Sequence, residues 1–271
     1  MSLQAKTVFI TGSTRGIGRS IALRCAKDGA NVVITGKTSE PHPKLEGTIH
    51  TVAAEVEAAG GKALAIQLDV RDGDAIANAV QQVVEQFGGI DVLVNNASAI
   101  SLTPTAQTKL SRFDLMFQVN VRATFACSQA CLPYLLKSEN AHILNIAPPL
   151  NMDAKWFKNH VAYTYTKYGM SACTLGMAEE FKAQGVAVNS LWPATTIATA
   201  AVKYNFPPEI YLSSRKPDIM SDAAYAVITQ DAKTISGNFY TDEAVLREQG
   251  VDDFTHYMID SSKQPIPDFY L

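Results

Sequence analysis

Residues Thr7-Val-Phe-Ile-Thr11-Gly-Ser-Thr-Arg-Gly-Ile-Gly18 carry an apolar, β-rich run directly into a turn with glycines at 12, 16 and 18. Such a run without polar interruption predicts a strand covered on both faces. Glycines at this spacing let the chain turn sharply, bring backbone close to a phosphate, and pack the next helix on the strand. The helix expected over 16–28 would aim unpaired N–H groups and its positive dipole end at that turn. Together these features predict a dinucleotide site with Gly12, Ser13, Thr14, Arg15, Gly16, Ile17 and Gly18 around the cofactor. A glycine turn that merely joins strand to helix is the structural alternative, so the surrounding pattern carries the decision.

That pattern alternates short apolar runs with longer amphipathic stretches. Strands are expected at 7–11, 31–35, 63–68, 92–94, 142–146 and 186–191. Helices are expected at 16–28, 50–59, 71–87, 110–137 and 161–184. Continuous apolar strands separated by helices mean parallel pairing, and right-handed crossovers place helices on both faces. The expected architecture is a single α/β domain over 1–271, a Rossmann fold with a doubly wound parallel sheet. Two segments interrupt the rhythm. The stretch 37–47, with Pro41 and Pro43, predicts an exposed loop, and 193–217, with Pro193, Pro207, Pro208 and Pro217, a broken segment covering the substrate. The tail after Thr241 is polar and mixed, with a helix expected over 242–249.

Composition narrows the class of function. The chain has 271 residues, is 47% hydrophobic and 18% charged, and carries a net charge of −3. It can bury a sizeable core and has no global attraction for nucleic acid or anionic lipid. No run approaches the roughly 18 apolar residues of a membrane span. The first residues do not read as a signal peptide, and the last are neither a prenylation box nor a peroxisomal signal. Cys25, Cys127, Cys131 and Cys173 form no Cys-x-x-Cys pair, so free thiols in a reducing cytoplasm are expected. The five histidines have no metal-ligand spacing, and no metal is expected.

The end of the second expected strand reads Ile34-Thr-Gly-Lys-Thr38. An acidic residue there would bond the ribose hydroxyls of NAD. Lys37 stands instead, with Arg15 in the glycine turn to flank it, and two cations without an anion favour the 2′-phosphate of NADP(H). Two solvated surface cations are the plainer alternative.

Further motifs follow in order: Leu68-Asp-Val70, Asn95-Asn-Ala-Ser98, Val119-Asn120, Tyr163-x-x-x-Lys167 and Leu191-Trp-Pro193. With the glycine turn, this series resembles the short-chain dehydrogenase/reductase family over nearly the whole chain. Pro148-Pro-Leu-Asn151, Trp156-Phe157 and Leu175-Gly-Met-Ala-Glu-Glu-Phe181 are similar to its hydroxysteroid-dehydrogenase-like group, whose longer members add a sterol-carrier domain beyond the point where this chain ends. The resemblance implies that Asp69 accepts from the adenine amino group beside Val70. It implies that Asn95, Asn96 and Ala97 line the cofactor channel, and that Pro193, Thr195 and Ile197 contact the cofactor. Asn120 would anchor a water that relays protons through Lys167. Tyr163 and Lys167, one helical turn apart, share a face. A phenol with an ordinary pKa near 10 works at neutral pH only if a cation stabilises its phenolate, and Lys167 would supply that charge and hold the nicotinamide ribose. Tyr163 would then exchange the hydroxyl proton while hydride moves.

One position departs from the family. A serine is usual after the fifth strand, but the sequence reads Ala147-Pro-Pro-Leu-Asn151, and neither alanine nor proline donates from its side chain. The amide of Asn151 would replace the hydroxyl, or Asn151 is a loop residue after a double proline. Accordingly the expected activity is NADP-dependent interconversion of a small-molecule carbonyl and a secondary alcohol. The competing reading is a nucleotide-binding protein with little turnover; lyase or epimerase chemistry would call for an added substrate domain. The helices at 110–137 and 161–184 have apolar residues in several directions, among them Ala123, Phe125, Ala126, Leu132, Met170, Cys173, Leu175 and Met177, which predicts a homodimer or homotetramer.

Overall fold

A computed structural model describes residues 1–43 and 45–271; Lys44, within the loop expected over 37–47, lies outside the described residues. The chain lays down β1 (Thr7–Ile10), α1 (Gly16–Ala26), β2 (Asn31–Gly36), α2 (Ile49–Ala58), β3 (Lys62–Gln67), α3 (Gly73–Phe87) and β4 (Val92–Asn95). Then come α4 (Leu110–Met116), α5 (Ala123–Leu135), β5 (Ala141–Asn145), α6 (Val161–Phe181) and β6 (Val186–Trp192). The last part holds α7 (Ala200–Asn205), α8 (Pro208–Leu212), α9 (Asp218–Ile228), β7 (Phe239–Thr241) and α10 (Asp242–Glu248).

The strands form one seven-stranded sheet in the order β3-β2-β1-β4-β5-β6-β7. Every neighbouring pair is parallel, with Phe9 of β1 opposite Val33 of β2 and Leu93 of β4. Alternate side chains feed two apolar layers. Val8, Ile10, Ile34 and Val94 pack with Ile21 of α1 and Val227 of α9, whereas Phe9, Val33, Leu93 and Ile143 pack with α3, α5 and α6. The buried thiols of Cys127 and Cys131 belong to the second layer. Strand order reverses between β1 and β4, and the carboxyl ends of these strands open the crevice that such sheets use for ligands.

Local chemistry sets several element ends. Asp72 caps α3, its carboxylate accepting from the N–H of Asp74 at 3.0 Å and of Ala75 at 3.1 Å, which starts that helix two residues after Arg71. Thr48 and Thr51 bond reciprocally and start α2 at Ile49.

The helix expected over 110–137 is not continuous. A π-helical turn at Phe117–Arg122 separates α4 from α5. Asn120 in that turn is fully buried, bonded to both backbone groups of Ala99 and to the Thr166 hydroxyl. The wider turn carries Asn120 inward to those partners, as such bulges commonly do beside functional sites. The helix expected to reach residue 184 ends at Phe181 and tightens into a 3₁₀ turn, Lys182–Gln184. Elements not anticipated from sequence are α9, whose apolar face packs on α1, and β7 at the sheet edge. The segment 193–217 forms α7 and α8 joined by irregular backbone. The tail folds back on the end of β6. Thr195 pairs with Pro267, the Asp268 N–H donates to Ala194 O at 3.1 Å, and Trp192 Nε1 donates to Phe269 O at 2.9 Å. Among the described residues no helix is long and apolar enough to cross a membrane.

Candidate active site

The glycine turn after β1 is held by the residues that follow β4. Gly12 sits at φ +66°, and a Cβ there would lie 3.0 Å from Ala97 Cα, so glycine meets both the conformation and the space. The Asn96 amide donates to Thr11 O and Gly12 O, each at 2.9 Å, and the N–H groups of Asn96 and Ala97 donate to the Thr11 hydroxyl. Asn95 turns inward, donating to Asn145 at 2.9 Å and Ser128 at 3.2 Å, so it ties β4 to β5 and α5. Ser13 is likewise buried, donating to Ile10 O and accepting from the Thr35 N–H at 2.9 Å. Its hydroxyl ties the turn to β2 and does not face the crevice.

Gly12, Thr14, Gly16 and Ile17 form the floor of a crevice of about 590 Å³, with Leu68, Asp69, Val70 and Val119 on one side. Arg15 and Lys37 line its end beside β2. Arg15 is braced there, Nη2 donating to the Thr38 hydroxyl at 3.1 Å and Nε to Glu46 O at 3.2 Å. Asp69 accepts from Arg71 Nη2 at 2.5 Å and Nε at 2.9 Å, and that guanidinium holds its carboxyl below the usual range. Arg15, at the N-cap, gives α1 no side-chain cap, so the helix start faces the crevice with its own N–H groups. A side chain at Gly18 would reach within 2.5 Å of the Asn96 amide and 2.7 Å of Gly12 O. This is a close-fitting backbone cradle of the kind that accepts a pyrophosphate. These residues fit a nicotinamide dinucleotide.

A second cavity of about 380 Å³ adjoins the crevice and shares Ile17, Asn96, Ser98, Thr199 and Ala201 with it. Tyr163 and Lys167 of α6 line this cavity, as do Pro193 and Ile197. Burial pushes the Tyr163 phenol well above its ordinary pKa, and Tyr270 and Asp268 push the same way. Burial also pulls Lys167 down to about 7, opposed by Asp268. Its Nζ donates to Ile146 O at 2.6 Å and to Met170 Sδ at 3.3 Å, and lies 5.0 Å from the Trp192 ring centre. In this geometry the lysine amine is held at the end of β5, one helical turn from Tyr163. The Thr195 hydroxyl is buried with no hydrogen-bond partner among the described residues.

Asn120 acts on the site through backbone. Its amide donates to the Thr166 hydroxyl at 3.0 Å, and that hydroxyl donates to Tyr163 O at 2.9 Å. Ala147, which with Pro148 stands where a serine is expected, is buried, and Pro148 O accepts from Ser171 at 2.7 Å. Asn151 makes no hydrogen bond to Tyr163 and is not among the residues lining the cavity. Its amide donates to Tyr270 O at 3.5 Å, its side-chain oxygen accepts from the Asp153 N–H at 3.1 Å, and its backbone carbonyl accepts from the Tyr168 hydroxyl. Trp156 packs on Phe269 and Tyr270, and Phe157 on Tyr168, so both brace the tail. His160 stands at the N-cap position of α6, with Nδ1 3.0 Å from the Thr164 hydroxyl.

Sequence reasoning missed the tail. Ile266, Pro267, Asp268 and Phe269 line the cavity, and Tyr270 is buried behind it. The one local signal was the cluster Phe269-Tyr-Leu271 at the end of a polar stretch.

The short chain dehydrogenase family matches residues 6–209. A curated relative, hydroxysteroid dehydrogenase-like protein 2 of Danio rerio, is 56% identical over 98% of this chain. The chain spans 63% of that relative's length. A solved structure from Xanthomonas campestris superposes with a TM-score of 0.97 at 50% identity, covering 100% of this chain and 99% of the other. A metagenomic short-chain oxidoreductase in complex with NADP superposes with a TM-score of 0.74 at 27% identity, covering 89% of this chain and 98% of the other.

Proposed function

Since the chain belongs to the short-chain dehydrogenase family, we propose that it is an NADP-dependent oxidoreductase that interconverts a neutral, apolar carbonyl compound and its secondary alcohol, with Tyr163 as the acid–base. The observation that carries this reading is the placement of Tyr163 and Lys167 in a mainly apolar cavity contiguous with the glycine crevice. The cofactor, when bound, supplies or accepts the hydride. The chain's own residues do the rest. Gly12, Gly16 and the start of α1 hold the pyrophosphate, and Asp69 and Val70 hold the adenine side. Lys167 holds the nicotinamide ribose and, charged, stabilises the phenolate. Tyr163 gives its proton to the substrate oxygen in reduction and takes it back in oxidation.

NADP is favoured over NAD because Arg15 and Lys37 line the β2 end of the crevice, and Asp69, the acidic residue of that lining among the described residues, is engaged by Arg71. The related oxidoreductase complexed with NADP supports the same choice. Free thiols, three of them buried, accord with a cytoplasmic setting.

A second reading, a nucleotide-binding protein with little turnover, is favoured by the lack of a side-chain donor at Ala147, Pro148 and Pro149. NADPH consumption over a panel of neutral aldehydes and ketones separates the two, and silence across the panel would favour the second. Fluorescence titration tests the cofactor. NADPH should bind more tightly than NADH, and Lys37→Asp should flatten or reverse the preference. Equal affinities in the unmodified protein would overturn it.

A further inference from the structure

On the oxidoreductase reading, Ala147, Pro148 and Pro149 leave the place of the expected serine without a side-chain donor, and the Asn151 amide turns to Tyr270 O at 3.5 Å. Another polar group enters the same cavity from the opposite end of the chain. We propose that Asp268 is a second catalytic residue, whose carboxyl donates a hydrogen bond to the substrate carbonyl oxygen beside Tyr163.

The geometry comes from the tail. Its backbone is stitched to the segment after β6 through the Thr195–Pro267 pairing and the bond from the Asp268 N–H to Ala194 O at 3.1 Å. Trp192, which forms a wall of the cavity, fixes Phe269 O through its indole N–H at 2.9 Å. Asp268 is thereby held at the cavity with Tyr163 and Lys167. Its Oδ1 accepts from the Phe269 N–H at 2.7 Å, and its Oδ2 has no hydrogen-bond partner among the described residues. The remaining wall is largely apolar, with Ile17, Ile100, Val202, Phe206 and Ile266 around these three groups. Asp268 contributes the only acidic side chain of that lining among the described residues.

The charges facing the carboxyl agree with a donor. Burial raises Asp268 to about 7 and Asp242, at the start of α10, pushes it further, against the Phe269 N–H and Lys167. Tyr163 and Tyr270 add no cation on its other sides. A carboxylic acid kept neutral by an apolar site can donate to a developing oxyanion next to a tyrosine. With a pKa of about 7, Asp268 is protonated in roughly half of the molecules at pH 7 and in more below it; in that form it keeps its proton through the step, and the proton delivered to the substrate comes from Tyr163. The same placement rejects substrates that carry a carboxylate close to the reacting carbonyl, since two acids would then face each other in an apolar wall.

The proposal rests on the oxidoreductase reading, and the test separates the two. Acetophenone labelled with ¹³C at the carbonyl is bound to the protein with NADP⁺, a complex that cannot turn over, and the C=O stretch is read by difference infrared spectroscopy. Alongside, NADPH consumption is measured with the ketone or aldehyde turned over fastest. Asp268→Ala should shrink the red shift of the bound carbonyl and cut kcat by about a hundred- to a thousandfold. Asp268→Asn, which keeps both the acceptor for Phe269 N–H and a donor, should retain most of the shift and stay within about tenfold in kcat. Both variants should bind NADPH as the unmodified protein does, because the lost contact is to substrate. A carbonyl stretch and kcat unchanged in Asp268→Ala, or losses in the asparagine variant equal to those in the alanine variant, would overturn the role of Asp268 alone. Failure of the unmodified protein both to show a bound carbonyl and to consume NADPH with any member of the panel would overturn the oxidoreductase reading, and this role with it.

Discussion

Tyr163 and Lys167 show how a site can hold the right residue types and still be poised by what surrounds them. Burial drives the phenol up and the ammonium down to about 7, so each is pushed toward its neutral form. Removing the hydroxyl should therefore remove the acid outright. Tyr163→Phe is expected to reduce turnover to background while leaving NADPH affinity unchanged, and Lys167→Met to weaken both, as read by steady-state rates and fluorescence titration. Asn151 stands apart. Its amide makes one long bond to Tyr270 O at 3.5 Å and does not line the cavity. Asn151→Ala is expected to lower turnover less than about fivefold, since a weak neutral hydrogen bond is worth roughly 1 kcal/mol or less. A loss as deep as that of Tyr163→Phe would return Asn151 to the chemistry.

At the level of elements, β5 carries a titratable group that no part of the site uses. His142 is 1% exposed, with Nε2 3.2 Å from Gln230 O and Nδ1 without a partner among the described residues. Burial lowers its pKa from 6.5 to about 4. Below pH 6.5 the unfolded chain takes up a proton that the native strand refuses, so stability is full above 6.5 and falls as the pH drops toward 4. The shift corresponds to about 3 kcal/mol, lost across that window. Urea midpoints at pH 7.5 and pH 5 should therefore converge in His142→Gln relative to the unmodified protein; equal pH slopes would show that the ring is not the responsible group. The π turn at Phe117–Arg122 makes a related point about helices. Periodicity reads straight through it, because the extra residue is demanded by partners of Asn120 at Ala99 and Thr166, remote in sequence.

At the scale of the whole molecule, α4, α5 and α6 carry exposed apolar side chains. Leu110, Phe125, Val161, Tyr165 and Leu175 are exposed on α4, α5 and α6, and the rings of Phe113, Phe117 and Tyr165 stack at 6.3–6.5 Å beside them. Of the helix residues expected to meet a partner, Ala123, Met170 and Met177 are buried in the monomer, whereas Phe125 and Leu175 are exposed. We propose that this face joins copies of the chain, since contiguous exposed apolar surface marks association. Sedimentation at micromolar concentration should give a multiple of 29.3 kDa, and Tyr165→Glu with Leu175→Glu should shift it to the single chain. A single-chain mass in the unmodified protein would count against the pairing.

The sequence by itself determined six of the sheet's seven strands, their parallel order with the helices between them, and the glycine turn. Those signals are local: β-branched runs, helical periodicity and glycine spacing act within a few residues, and Tyr163 and Lys167 fall one turn apart on any helix. Only the tertiary structure decided which side chains share the cavity. It turned Ser13 and Asn95 into braces, sent Asn151 to the tail, and brought Asp268 to Tyr163 across about a hundred residues of chain. The physical reason is that the tail is held by backbone bonds to residues 194–196 and by packing on Trp192 and Trp156. Backbone pairing leaves no residue pattern of its own, so the Ile266–Tyr270 stretch reads as loop until its partners are in place.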